Sequence, residues 1–143
     1  MAVLEISLTN DLREIAVAAE QIEEFCAARD LSPAIAYAIN LSIDELLTNT
    51  INYGYDDGAR HRIDIAVHMD GSVIVVEITD DAKPFDPSGV AQPDTDIPLE
   101  DRPVGGLGIH LVREMMDGFR YRRSGEHNIV TFTKNTKDAG TAI

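Results

Sequence analysis

Five of the chain's six prolines, Pro84, Pro87, Pro93, Pro98 and Pro103, fall between Lys83 and Val104. Proline locks φ and removes a backbone donor, so neither a helix nor a strand ladder runs through such a stretch. No helical or strand period is legible there. A long irregular segment inside a compact domain is uncommon, and it often serves as a lid or binding loop. The regular elements must therefore come from the two flanks. At 143 residues, 44% of them apolar, the chain is long enough for one core and fits a single domain, expected over 1–135 with a fraying polar tail at 136–143.

The flanks carry clear periods. Leu4, Ile6 and Leu8 alternate with polar residues and read as a strand. Asp11 and Glu14 resemble a capping box that opens a helix, with Leu12, Ile15, Ala19, Ile22 and Cys26 as its core stripe. Ser32-Pro33 starts a second helix that runs to about Tyr53 and stops at Gly54. Ile63 to Met69 alternates as a strand, Asp70-Gly71 signals a hairpin, and Val73 to Thr79 is the denser partner strand. Beyond the proline-rich stretch, Gly105-Gly106-Leu107-Gly108 opens a helix that ends near Asp117-Gly118. Strands at 119–123 and 128–134 follow. The order β-α-α-β-β-loop-α-β-β predicts an α+β fold, a two-layer sandwich with helices on one face of a mostly antiparallel sheet. Strict βαβ alternation is missing, which argues against a Rossmann fold.

Composition removes several function classes. Twenty-five acidic and 12 basic side chains give a net charge of −13, and residues 1–100 alone carry −15. Phosphate attraction needs a basic face, so direct nucleic-acid binding is not expected. No apolar run approaches the roughly 18–20 residues that span a bilayer, and the start has no basic, then apolar leader pattern. A single cysteine, Cys26, excludes an internal disulfide and points to a reducing, cytoplasmic compartment. Three arginines at Arg120, Arg122 and Arg123 read as a blunted edge strand rather than a nucleic-acid patch.

Three constellations can carry chemistry. On the second helix, Glu45, Asn49 and Asn52 fall within an arc of roughly 60°, beside the apolar stripe of Ile39, Ile43, Leu46, Leu47 and Thr50. A carboxylate and an amide oxygen one turn apart suit a hydrated Mg²⁺, although such a stripe also fits an ordinary solvated face. At the end of a buried strand, Asp80-Asp81-Ala82 offers a carboxylate to an exocyclic amine, and equally fits simple turn chemistry. Gly105, Gly106 and Gly108 open a helix, where backbone N–H groups and the dipole favour phosphate; a hinge is the plainer alternative.

In this order the three stretches resemble the GHKL superfamily of ATP-binding domains, with the Bergerat fold. The similarity is greatest to the small serine/threonine protein kinases that act as anti-sigma factors. It rests on Asp44 to Tyr55, Asp80 to Pro87 and Arg102 to Val112, and spans nearly the whole chain. The resemblance implies ATP and Mg²⁺ as cofactors, with Asn49 ligating the metal and Glu45 acting as the base toward a substrate serine. It implies that Asp80 meets the adenine amine, that Gly105, Gly106 and Gly108 lie beside the phosphates, and that Thr131 lies near the adenine. Residues 86–104 correspond to a mobile ATP lid. Ala82 stands where the family has glycine, which puts nucleotide affinity in question if that position needs positive φ. The implied partners are a STAS-domain anti-anti-sigma protein, a sigma factor and a second copy of the chain as a homodimer. The rival readings are a non-catalytic module acting by sequestration and a two-component histidine kinase. The latter is disfavoured because no helical hairpin carries His61, His68, His110 or His127.

Overall fold

The structure, a computed structural model, describes residues 3–84 and 112–137. β1 (Val3–Thr9) leads through a 3-10 turn (Leu12–Glu14) into α1 (Ile15–Ala28) and α2 (Pro33–Tyr53). A hairpin of β2 (Arg62–Asp70) and β3 (Val73–Asp80) follows, and a second hairpin of β4 (Gly118–Ser124) and β5 (His127–Asn135) completes the sheet. The strand order is β1-β2-β3-β5-β4, with every pairing antiparallel. The α+β reading of the sequence therefore holds.

The period of two explains the layers. Ile6 and Leu8, Ile63, Ile65 and Val67, Ile74, Val76 and Ile78, and Val130 and Phe132 share the inner face and are buried. Against them pack Ala18, Ile22, Phe25 and Cys26 of α1 and Ile35, Ile39, Ile43, Leu46 and Leu47 of α2. Truncating a fully buried member such as Phe132 to Ala would cost about 3–5 kcal/mol. Ser42 lies in this core without penalty, because its hydroxyl donates to the Ala38 carbonyl at 2.8 Å.

The α1 stripe differs from expectation at its start. Leu12 is 46% exposed, and Ala18 and Phe25 are buried instead. The 3-10 turn at residues 12–14 breaks the 3.6-residue phase. Asp11 still caps it, accepting from Arg13 N at 2.9 Å, but Glu14 reaches back to Thr9 N and Oγ1 rather than to Asp11. Ser32 occupies the N-cap of α2 without making the expected side-chain hydrogen bond. The first hairpin turns on Gly71-Ser72, since Asp70 pairs with Val73, one residue beyond the expected Asp70-Gly71. Gly71 and Gly125 both take φ 60°, as two-residue hairpins require.

Residues 112–115 are helical, and Val112 and Met116 reach into the core. Lys134, on the inner face of β5, donates to the Met115 carbonyl at 2.8 Å and so caps this helix end. Among the described residues no helix is long and apolar enough to cross a membrane.

Candidate functional site

Asp80 is the last residue of β3 and closes one row across the sheet: Leu8, Ile63, Asp80, Asn128, Arg123. The row is apolar on one side of Asp80 and polar on the other. Asp80 is only 5% exposed. Its Oδ1 accepts from Asn128 Nδ2 at 2.9 Å and from the Ala82 backbone N–H at 3.0 Å. Among the described residues both of its hydrogen bonds fall on Oδ1, which leaves Oδ2 as an acceptor. Burial pushes its pKa above the usual carboxylate range, against the lowering effect of these two donors.

Asn128 was not singled out from the sequence, yet it organises this corner. Its Nδ2 also lies within 3.2 Å of the Ala82 carbonyl and 3.0 Å of the Lys83 carbonyl. Its Oδ1 accepts from Tyr121 Oη at 2.7 Å and Arg123 Nη1 at 3.1 Å. Arg123 also donates to the Ala82 carbonyl at 2.9 Å. The turn after β3 is thus held from the β5–β4 side by a part-buried network with both ends of the buried Asn128 amide satisfied.

The other side of the turn is held by the end of α2. Lys83 N donates to the Gly54 carbonyl at 3.0 Å, and Lys83 Nζ reaches Asp56 at 3.2 Å. Ala82, where a glycine was expected, is buried, and among the described residues only Asp30 of the non-glycines takes positive φ. Its backbone therefore does not need glycine. Its methyl group is accommodated across the contact: a Cβ at Gly54 would lie 2.7 Å from Ala82 Cβ and 2.5 Å from the Thr50 carbonyl oxygen. The small residue stands on the helix side.

Just beyond Gly54 lies a second cluster that the sequence did not suggest. His61 stacks on Tyr55, with ring centroids 4.3 Å apart at 18°. Its Nδ1 lies 3.0 Å from Asp81 and its Nε2 2.9 Å from Asp57. Hydrogen bonds to Asp57 and then Asp81 raise the imidazole pKa above its ordinary value, so a protonated ring donates from both nitrogens. The Tyr55 hydroxyl is buried with no hydrogen-bond partner among the described residues. Burial, followed by the nearby Asp80 and Asp81 carboxylates, pushes its pKa well up and keeps it neutral.

On α2, Glu45 is half-buried and Asn49 lies one turn on, with Gly54 five residues further. Among the described residues no hydrogen bond or ion pair engages Glu45. The Asn49 amide nitrogen is buried and has no partner among the described residues. An orphaned buried amide costs about 1–3 kcal/mol, so its surroundings are suited to something it can bind. Among the described residues no group of three or more His, Cys, Asp or Glu side chains could hold a metal. A cation here would have the Asn49 oxygen, with Glu45 near it, and would take its remaining ligands from water and a bound anion. That sparse, all-oxygen set suits Mg²⁺, which keeps several waters and shares phosphate oxygens, so the residues fit the ion.

Two sequence expectations fall elsewhere. Thr131 pairs with Glu77 and Arg120, one position out of phase with Asn128 and Asp80, so it lies on the opposite face of the sheet from Asp80. The residue brought beside Asp80 is Asn128 instead. Gly105, Gly106, Gly108 and the stretch at 86–104 lie outside the described residues.

With this geometry in hand, comparison with known proteins is specific. The family described as histidine kinase-like ATPase domain matches residues 8–134, and the chain belongs to it. The serine/threonine-protein kinase BtrW of Bordetella bronchiseptica is 26% identical over 114 residues, covering 79% of this chain and 80% of that protein. The serine-protein kinase RsbW of Halalkalibacterium halodurans is 29% identical over 83 residues, covering 55% of this chain but only 50% of its own length. A crystal structure of the RsbU and RsbW domains of a Mycobacterium tuberculosis protein superposes with a TM-score of 0.69 at 14% identity, over 94% of this chain and 32% of that one. At that identity the likeness bears on the fold alone.

Proposed function

We propose that the chain is an ATP-dependent protein serine/threonine kinase that also acts as an anti-sigma regulator. The observation that carries this reading is the buried Asp80, fixed through one carboxylate oxygen with the other left to accept. An adenine exocyclic amine is a donor that suits that oxygen. The names of the two curated relatives support the same activity.

The division of labour follows from position. Asp80, with Asn128 and Ala82 behind it, reads the base. Gly105, Gly106 and Gly108, outside the described residues, are given the phosphates by the family resemblance alone. Asn49 offers its amide oxygen to Mg²⁺ and its unpaired nitrogen to a phosphate oxygen. When bound, the ion neutralises phosphate charge that an acidic domain would otherwise repel. Glu45, not engaged by other described side chains, accepts the proton of an incoming serine hydroxyl. Thr131 has no place in this scheme, because it faces away from Asp80.

The acceptor in this proposal is a serine on a STAS-domain anti-anti-sigma protein, with a sigma factor as the alternative partner of a homodimer in the cytoplasm. A module that binds nucleotide and acts by sequestration alone is the alternative; it draws slight support from Ala82, against which stands the fit of Ala82 beside Gly54. The test is incubation with γ-labelled Mg-ATP and the STAS proteins of the same genome. Label on a partner serine is the expected result. Tight nucleotide binding with no transfer to any of them would overturn the kinase reading.

A further inference from the structure

The His61 cluster has no part in the scheme above, although it abuts the turn that carries Asp80. Its backbone is fixed by Asn10, just past β1: Asn10 Oδ1 accepts from His61 N at 2.9 Å, and Asn10 N donates to the His61 carbonyl at 3.1 Å. The stack on Tyr55 fixes the ring plane, and the side chain is only 18% exposed. From this base Nε2 meets Asp57 and Nδ1 meets Asp81. A neutral imidazole has one N–H and one lone pair, so only the protonated ring donates to both.

On losing its proton the ring must turn a lone pair on one carboxylate. Asp57 has a second donor, the Ala59 N–H at 3.0 Å. Among the described residues the Asp81 side chain is held by His61 alone. The Nε2–H tautomer, intrinsically favoured in a neutral histidine, keeps Asp57 and releases Asp81. No other cation stands ready to take over. Besides Asp57 and Asp81, the charged group nearest the stack is Asp80, which faces Tyr55. Lys83 is engaged by Asp56 at 3.2 Å, Arg62 by Asp64 at 2.7 Å, and Arg60 acts on Asp11.

Asp81 matters because it is the middle residue of the turn that aims Asp80. The Ala82 N–H donates to Asp80 Oδ1 across it, so fixing the Asp81 side chain fixes the peptide that carries this donor.

We propose that His61 is a positioning residue for ATP binding: its protonated ring clamps Asp81 to the 54–61 segment and keeps Asp80 aimed at the base, and loss of the proton lowers nucleotide affinity. This rests on the reading of Asp80 as the adenine acceptor. The flanking carboxylates raise the pKa of the ring above its ordinary value, so the clamp is closed in acid and opens as pH rises through the folded value.

The test is calorimetry of Mg-ATP binding to the full chain between about pH 5.5 and 9, for wild type, His61→Gln and His61→Arg. A guanidinium stacks on an aromatic ring, donates to two carboxylates and stays charged throughout. The phosphates of ATP titrate alike against all three proteins, so affinity ratios isolate the ring. Wild type should match the arginine variant in acid and fall to the level of the glutamine variant at high pH, a loss of about three- to tenfold. By reciprocity ATP should raise the His61 midpoint, followed by ring proton signals, by about one pH unit for each tenfold of affinity. In the ligand-free protein the Asp81 and Ala82 amide signals should titrate with the ring. ATP affinities with one shared pH profile, or amides indifferent to the ring, would each overturn this inference alone. Failure of all three proteins to bind ATP would overturn the adenine reading and the role of His61 in it, with the amides still reporting whether the clamp exists.

Discussion

The two sides of the candidate site are built in opposite ways. At the end of β3, Asp80 and the turn after it are tied down by Asn128, Arg123, Lys83 and the Ala82 backbone. On α2, Glu45 is not engaged by the described side chains, and the Asn49 nitrogen is buried without a partner among the described residues. One side is finished before any ligand arrives, and the other is completed by it. In the proposed function this concentrates rigidity where a neutral, flat base would be recognised. It leaves unsatisfied groups on the side that the proposal gives to Mg²⁺ and phosphate.

The largest expected effect tests the open side. Glu45→Ala should lower serine phosphorylation by about 10²–10⁴-fold while nucleotide affinity changes little. Single-turnover transfer and calorimetry on the same sample separate the two, and unchanged transfer would remove Glu45 from its role.

Next, the two asparagines should behave in opposite fashion in the absence of ligand. Asn128→Ala strips donors from Asp80 and two carbonyls and should cost about 1–3 kcal/mol in urea unfolding. Asn49→Ala removes an orphaned amide and should leave the ligand-free protein as stable or more so, yet abolish the Mg²⁺ dependence of ATP binding. Equal destabilisation by both variants would break the contrast between a finished and an open side.

A smaller effect is expected at the seam between them. Gly54→Ala places a methyl 2.5 Å from the Thr50 oxygen and 2.7 Å from Ala82 Cβ, an overpacking of about 1–2 kcal/mol. The double variant Gly54→Ala, Ala82→Gly should recover part of that loss, because the glycine then stands on the strand side. No recovery would mean that the Thr50 carbonyl alone sets the limit.

The smallest effect concerns pH. The folded pKa of His61 lies above its unfolded value, so its contribution to stability is fully present below about pH 6.5 and fades as pH rises through the folded value. Asp57 moves in the complementary direction: its hydrogen bonds with the Ala59 backbone and His61 lower its pKa, so its share is lost only in acid. His61→Gln should flatten the stability profile above about pH 6.5. An identical profile for the variant would show that the ring does not link the 54–61 segment to the turn after β3.

Much of this was readable in the chain itself. Strands and helices follow their periods; spacing and strand ends mark Glu45, Asn49 and Asp80 as candidates, and only the family resemblance gives them roles. What was not readable was register. Asn128 stands beside Asp80 although 48 positions separate them in sequence, a pairing set by the assembled sheet. Thr131 enters through the family resemblance, and the observed register turns it away from Asp80. In the run Ile129-Val130-Thr131-Phe132 both faces are largely apolar, so alternation does not mark which side turns inward. The α1 stripe slipped because a 3-10 turn shifts the phase by a fraction of a turn without any change in residue type. The His61 cluster was hidden because its carboxylates come from two separate segments.

The β3–β5 ladder has a consequence for how such a chain can vary. Eight residue pairs, from Val73–Asn135 to Asp80–Asn128, join strands whose connection runs through the proline-rich stretch and β4. The entropy of closing that connection grows only with the logarithm of its length, about 0.6 kcal/mol for each doubling. Residues can be added to or removed from the stretch while the ladder stays intact. Its length is thus a nearly independent variable, open to adjustment between descendants of one ancestor while the sheet beneath keeps its register.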